Sequence, residues 1–177
     1  MGTMLDVIGS IVIRGAIMLA ILNLTFQMNT ALYQKTALAA TRQATVIPAQ
    51  IMYGDIYVAG YGETTSKTFA LAKQNEISFF ADVNNDGTPE SVHYYLQGES
   101  AAKGLYRQVS SINNNAPALI AHNVTSMTFD YYDIDGVPKI PGVNVSGIKS
   151  IRLRFTIQTD EGSGNTFWEK NIFPPNL

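Results

Sequence analysis

At 177 residues the chain has room for one domain with a hydrophobic core and one appended element. Its 12 Lys and Arg are matched by 14 Asp and Glu, which excludes the basic field that a nucleic-acid binder needs. Cysteine is absent, which excludes disulfide frameworks and thiolate metal sites, while abundant Asn, Thr, Ser, Gly and Tyr suit a β-rich extracellular surface.

The first element is MLDVIGSIVIRGAIMLAILNLTF, residues 4 to 26, apolar yet carrying Asp6 and Arg14. As a cleaved signal peptide it fits poorly: Arg14 interrupts the apolar run, no basic residue precedes it, and no A-x-A-like site follows. Its length suits a bilayer core, which needs ~20 residues, but an unpaired Arg14 near the middle would cost about 3 kcal/mol on insertion scales. A helix that packs against copies of itself gives the charges a use. Asp6 and Arg14 lie eight residues apart, or ~12 Å along a helix axis, beyond the i,i+4 reach within one helix. Between two parallel copies staggered by about two turns, Asp6 of one lies level with Arg14 of the next. Gly9, Ser10, Gly15, Ala16 and Ala20 are small enough for helices to approach closely. The plainer alternative puts Asp6 at a membrane interface and lets Arg14 snorkel.

From Met28 the pattern turns amphipathic: Met28, Ala31, Leu32, Leu38, Ala39 and Val46 recur at helical intervals, with Gln27, Asn29, Gln34, Lys35, Arg42 and Gln43 filling much of the other face. The spacing predicts a helix from about residue 4 to 46, ~60 Å long, whose first half extends beyond any small globular part. Pro48 either kinks it or opens a second helix through PAQIMYGDIYVAGYG, which Gly60 and Gly62 end.

Beyond Gly62 the texture changes to β-type runs: EISFFAD (76 to 82), ESVHYYL (90 to 96), GLYRQVS (104 to 110), NVTSMTFDYYD (123 to 133), GIKSIRLRFTIQT (147 to 159) and TFWEKNIF (166 to 173). In KSIRLRFTI, Ile151, Leu153, Phe155 and Ile157 alternate with Arg152, Arg154 and Thr156, so one face is buried and one wet. NNDG, DIDG and EGSGN read as hairpin turns. The expected fold is α+β: an apolar helix half over 1–27, an amphipathic half over 28–62 with a Pro48 kink, and an antiparallel β domain over 63–177, covered by the helix's second half.

Among motifs, DVNNDGTPE is the best metal candidate. Asp82, Asn84 and Asp86 precede Gly87 at the spacing of the first half of an EF-hand-type loop, with Thr88 placed to offer its carbonyl and Glu90 at the ninth place; calcium is the implied ion. His93 stands at the twelfth place instead of Glu, and strand rather than helix follows, so a plain hairpin turn is the competing reading. DYYDIDG, with Asp130, Asp133 and Asp135, is a weaker candidate. His93 and His122 have no assignable catalytic partner, GYGETTSK (60 to 67) lacks phosphate-loop spacing, and no enzymatic role is expected. Asn123-Val124-Thr125 and Asn144-Val145-Ser146 fit the N-glycosylation triplet, and Tyr53, Tyr57 and Tyr61 form a four-residue stripe read as helix-on-sheet packing.

The order of these elements, with ISFFADVNNDGTPESVHYYL, LYRQV, NVTSMTFDYYDIDG and IKSIRLRFTIQT in sequence, resembles the type IV pilin and pseudopilin superfamily, and most of all the globular half of its minor pilins. The pattern covers roughly residues 50 to 160; the helix matches by architecture alone. Gly2 stands where a prepilin has its cleavage-site glycine, but Thr3 or Met4 replaces the aromatic residue, Asp6 is the only nearby acid and no basic leader is present, so prepilin-type processing lies outside the resemblance. The resemblance implies that Asp6 takes the place of the acid that neutralises a neighbouring subunit, with Arg14 as its partner. It also implies a structural subunit of an extracellular helical filament, a homo-oligomer built through the N-terminal helix and held in the inner membrane before assembly. The alternatives are a minor or initiating pseudopilin, and a signal-anchored surface domain that binds a ligand.

Overall fold

The computed structural model describes residues 2–63, 68–99, 102–110, 115–142, 146–158 and 165–177. Four sequence expectations fall wholly or partly outside these: the end of GYGETTSK, Thr159 at the end of GIKSIRLRFTIQT, most of EGSGN, and Asn144 with Val145 of the second glycosylation triplet. The chain divides into two compact units, Met1–Ala40 and Thr41–Leu177.

The first unit is helical throughout its described length, as part of helix α1, Gly2–Tyr57. Leu, Ile, Met and Ala dominate it and no proline interrupts it before Pro48. Its hydroxyls do not stay free in this apolar setting. Ser10 donates to the Val7 carbonyl at 2.9 Å, Thr25 to Ile21 at 2.8 Å and Thr30 to Phe26 at 3.0 Å, which satisfies each hydroxyl within its own helix.

In the second unit the helix continues through Pro48, so no second helix starts there. Proline forfeits one backbone hydrogen bond and crowds the preceding turn. Burial offsets that cost: Pro48 is itself buried, and Ala49, Met52 and Ile56 follow at spacings of three and four, all fully buried. After Tyr57 the chain turns. Gly60 takes φ +82°, and a Cβ there would come within 2.9 Å of the Asn176 carbonyl oxygen, so only glycine fits. Its N–H donates to the Phe80 carbonyl at 2.8 Å, and Asp82 N–H donates to the Tyr61 carbonyl at 3.0 Å, which ties this turn to the sheet.

Among the described residues the sheet has eight antiparallel strands: β1 Phe69–Ala72, β2 Ile77–Ala81, β3 Glu90–Gln97, β4 Lys103–Val109, β5 Ala118–Tyr132, β6 Pro138–Lys139, β7 Ser150–Gln158 and β8 Asn165–Ile172. The path runs β1-β2-β3-β4-β5-β7-β8, with β6 on β5. The six runs expected from pattern are all strands; β1 and β6 are additional, too short and too poor in β-branched residues to stand out. The 15-residue β5 serves two partners. Residues 118–124 pair with β4, residues 124–132 pair with β7, and the register shifts between Val124 and Ser126, next to Asn123 at φ 56°. Past that bulge the β1–β2 turn closes onto β5: Phe129 N–H donates to the Gln74 carbonyl at 2.7 Å and Tyr131 Oη to the Lys73 carbonyl at 2.7 Å. The sheet therefore curls instead of lying flat.

The curl encloses one core. Met52, Ile56 and Ala59 meet Phe79, Val92, Tyr94, Leu105, Phe129 and the inward row of β7, whose Ile151, Leu153, Phe155 and Ile157 are buried while Arg152 and Arg154 are half-buried on the other face. The expected tyrosine stripe is only partly a packing element. Tyr53 packs on this core and stacks with Tyr57 at 5.9 Å, but Tyr57 and Tyr61 remain exposed.

Candidate functional site

Two features of the structure hold the residues singled out by sequence. The first is the helical span Asp6–Ala37, long and apolar enough to cross a membrane or to anchor the chain in one. None of its residues is buried within the chain, and side chains such as Phe26 (74% exposed) and Leu19 (69%) stand free. Among the described residues Asp6 and Arg14 have no ion-pair partner inside the chain, as their separation requires. At ~100° per residue they point about 80° apart around the helix. Of the small residues proposed for close contact, Gly9, Ala16 and Ala20 share one face to within about 40°, while Ser10 and Gly15 lie on others. A Cβ at Gly9 or Gly15 would meet nothing in the chain, so their smallness serves no contact inside it.

The second feature is the β2–β3 loop. Asp82 and Glu90 are buried at its two ends, and the carboxylate oxygens of Asp82, Asp86 and Glu90 lie within 4.8 Å of one another. Asn85 at φ 60° and Gly87 at φ 88° make the tight bend. Asp82 accepts from Asp86 N–H at 3.0 Å and from Gly87 N–H at 2.8 Å, and Glu90 accepts from Val83 N–H at 3.0 Å. Asn84 donates its amide nitrogen to Asp86 at 2.8 Å and to Glu90 at 2.6 Å. Asp86 also accepts from Thr88 N–H at 2.8 Å; that bond, then Asn84, holds its carboxyl below the usual range.

The loop thus satisfies much of its own polarity, as a hairpin turn does. It also gathers three carboxylates at a spacing that oxygen ligands of one calcium ion share, at 2.3–2.6 Å each. The Asn84 amide nitrogen bridges two of them, and its oxygen accepts from Asp86 N–H at 2.9 Å. Thr88 is exposed and contributes its N–H.

No protein-family model matches this chain, and no curated protein is significantly similar to it.

The remaining candidates are dispersed. Asp130 pairs with Arg154 across β5 and β7, and Asp133 accepts from Asp135 N–H at 3.1 Å and Val137 N–H at 2.8 Å, so DYYDIDG builds a turn and a cross-strand bridge instead of a convergent ligand set. His93 Nε2 lies 2.9 Å from Glu76 Oε1, and its ring packs 4.9 Å from Tyr95. His122 is exposed on β5.

Sequence reasoning missed a polar cluster beneath the helix end. Arg107 Nε donates to Asp55 Oδ2 at 2.6 Å and Tyr94 Oη donates to the same oxygen at 2.6 Å. The only signal was three polar residues inside otherwise apolar runs, far apart in the chain. It also missed the amides Asn23 and Gln27, bonded to each other at 3.2 Å in the middle of the apolar span. Their four-residue spacing was the one signal for the pair.

Proposed function

We propose that this chain is a structural subunit of an extracellular pilus-like helical filament, with its apolar helix in the filament core and its β domain outside. The observation that supports the reading is the burial pattern. The span Asp6–Ala37 buries none of its apolar side chains, while the second unit fills a core of its own. Fully burying one Leu or Ile is worth about 1.5–3 kcal/mol, so so many exposed ones need a surrounding from outside the chain. A bilayer supplies it before assembly and neighbouring copies supply it afterwards. In that arrangement each copy meets the next through two different surfaces, a contact that does not close on itself and so generates a fibre. Asp6 and Arg14, level with each other at a stagger of ~12 Å, neutralise one another between copies and set the register.

Negative-stain images of the purified full-length chain test the proposal. Long fibres of uniform width are expected. Dispersed particles in detergent, with no fibres under any condition tried, would replace it by the reading of a domain anchored at a membrane surface. Short tip-like particles that appear only with another filament protein would favour an initiating pseudopilin.

A further inference from the structure

Two surfaces of the second unit are each left incomplete by the chain itself. One is an open cavity of about 750 Å³ beside the edge strand β1, walled by Phe69, Phe80, Ile148 and Leu177 and carrying Thr68 and Lys149 among its polar groups. Apolar walls with a few placed polar groups are what a binding cavity offers. The Lys149 ammonium has no partner among the described residues. Lys139 Nζ has none either, and it stands 3.7 Å from where a Cβ on Gly147, another lining residue, would lie. Elsewhere in the unit Lys73, Arg107, Arg152 and Arg154 are each paired with a carboxylate, and Lys170 lies over the Tyr53 ring. Two unpaired cations thus flank one apolar cavity.

The other surface is the turn between β5 and β6. The Asp133 carboxylate accepts from Asp135 N–H at 3.1 Å and from Val137 N–H at 2.8 Å. Its backbone carbonyl accepts from Gly136 N–H at 3.1 Å, and its N–H donates to the Val137 carbonyl at 3.1 Å. This bonding fixes a bend whose tip is Ile134, at 79% the most exposed bulky apolar side chain among the described residues of the second unit; Val137 beside it is 54% exposed. A single exposed isoleucine needs no explanation. One held out by a hydrogen-bonded turn is different, because little order remains to be lost when it docks. Asp135, next to the tip, is exposed, and its carboxylate has no partner among the described residues.

We infer that the Ile134 tip of one copy enters the cavity walled by Phe69, Phe80, Ile148 and Leu177 in a second copy, where Asp135 meets the Lys149 ammonium at the rim. What each surface lacks the other carries: a bulky apolar tip faces apolar walls, and an unpaired carboxylate faces an unpaired cation. Both halves belong to one chain, which makes a further copy the occupant. The exposure of Ile134 shows that the tip does not fill the cavity of its own chain. The contact joins two different patches, so a copy that receives one neighbour can enter another. It uses the second unit alone, without the apolar helix, and so stands apart from the filament proposal.

The absence of native cysteine makes the test direct. Two full-length chains with different tags are co-expressed, one carrying Ala70→Cys at the cavity and the other Val137→Cys beside the tip. The membranes are then oxidised and mixed disulfide dimers measured. Their yield should exceed several-fold that of each variant with itself, and that of Val137→Cys with Gln97→Cys, an exposed position on β3. Adding Ile134→Asn to the Val137→Cys chain should lower the mixed yield several-fold. Lys149→Glu in the Ala70→Cys chain should do the same, and Asp135→Lys in the other chain should then restore it. Thermal midpoints equal to the parent's show that each variant keeps its fold. Mixed yields no higher than the controls, adducts only with other proteins, or a charge exchange that restores nothing at unchanged midpoints would overturn the inference. Electron microscopy of the same preparations keeps the two ideas separate. Fibres without mixed dimers would sink this contact and leave the filament standing, and mixed dimers without fibres would do the reverse.

Discussion

Arg107 on β4 and Asp55 in the last turn of α1 meet at 2.6 Å, with Tyr94 Oη donating to the same carboxylate oxygen. Arg107 Nε also donates to Tyr94 Oη at 3.2 Å, so the three groups form a closed cluster between helix end and sheet. Burial, and then the nearby Asp55 charge, pushes the Tyr94 phenol well above its ordinary range. It remains a donor at any physiological pH. The pair is neither a surface bridge, worth at most about 1 kcal/mol, nor a fully buried one, whose disruption costs about 3–5 kcal/mol. Asp55→Ala should therefore destabilise the β unit by about 2–4 kcal/mol, because it strands the Arg107 charge and the Tyr94 hydroxyl. Denaturant unfolding of the full chain in detergent checks this, and a loss below that of an ordinary surface substitution would show that the cluster contributes nothing.

At the β2–β3 loop, Asp82→Ala removes the acceptor for two backbone N–H groups and should cost about 1–3 kcal/mol. The carboxylate trio predicts in addition that millimolar calcium raises the thermal midpoint of the parent chain, since a ligand that binds only the folded state stabilises it. Asp86→Asn should abolish that rise. A midpoint indifferent to calcium would leave the loop as a turn closed by its own hydrogen bonds.

Glu76 gives the β1–β2 turn a pH dependence. The Lys73 ammonium, hydrogen-bonded at 2.8 Å, lowers its pKa first; partial burial opposes that, and His93 at 2.9 Å lowers it again. A carboxyl whose folded pKa lies below its unfolded one contributes stability above the unfolded value and loses it as pH falls through the folded value. The contribution is thus whole at neutral pH and disappears below the ordinary glutamate range. The acid side of a plot of thermal midpoint against pH should be steeper for the parent chain than for Glu76→Gln. Coincident acid limbs would refute the assignment.

Neutralising either charge of the apolar helix, by Asp6→Asn or Arg14→Gln, should reduce fibre yield, and exchanging the two, Asp6→Arg with Arg14→Asp, should restore it. Both arrangements place opposite charges level at the same stagger of ~12 Å. Restoration that fails while each single variant still folds its β unit would remove Asp6 and Arg14 as partners.

What sequence alone determined here is local. Hydrophobic period marked the helix and six strands, and it put Ile151, Leu153, Phe155 and Ile157 on the buried face of β7, because side-chain direction follows directly from residue spacing. Turn chemistry marked the bends at Gly60 and Gly87, where the backbone takes positive φ that glycine alone adopts without cost.

Tertiary structure decided the rest, for one reason: which residues meet depends on register summed over long stretches of chain. Phe69–Ala72 is a strand because β2 supplies its partners, and its own residues carry little preference. The helix runs through Pro48 because burial of its neighbours outweighs a missing hydrogen bond, a comparison invisible within a local window. Asp55 on the helix end finds Arg107 on β4 52 residues away, and Lys73 finds Tyr131 58 residues away, past the bulge near Asn123 in β5. Spacing named the loop's carboxylates as ligands; folding turned their oxygens toward the loop's own amides as well, because buried polar groups take the nearest partners that geometry allows.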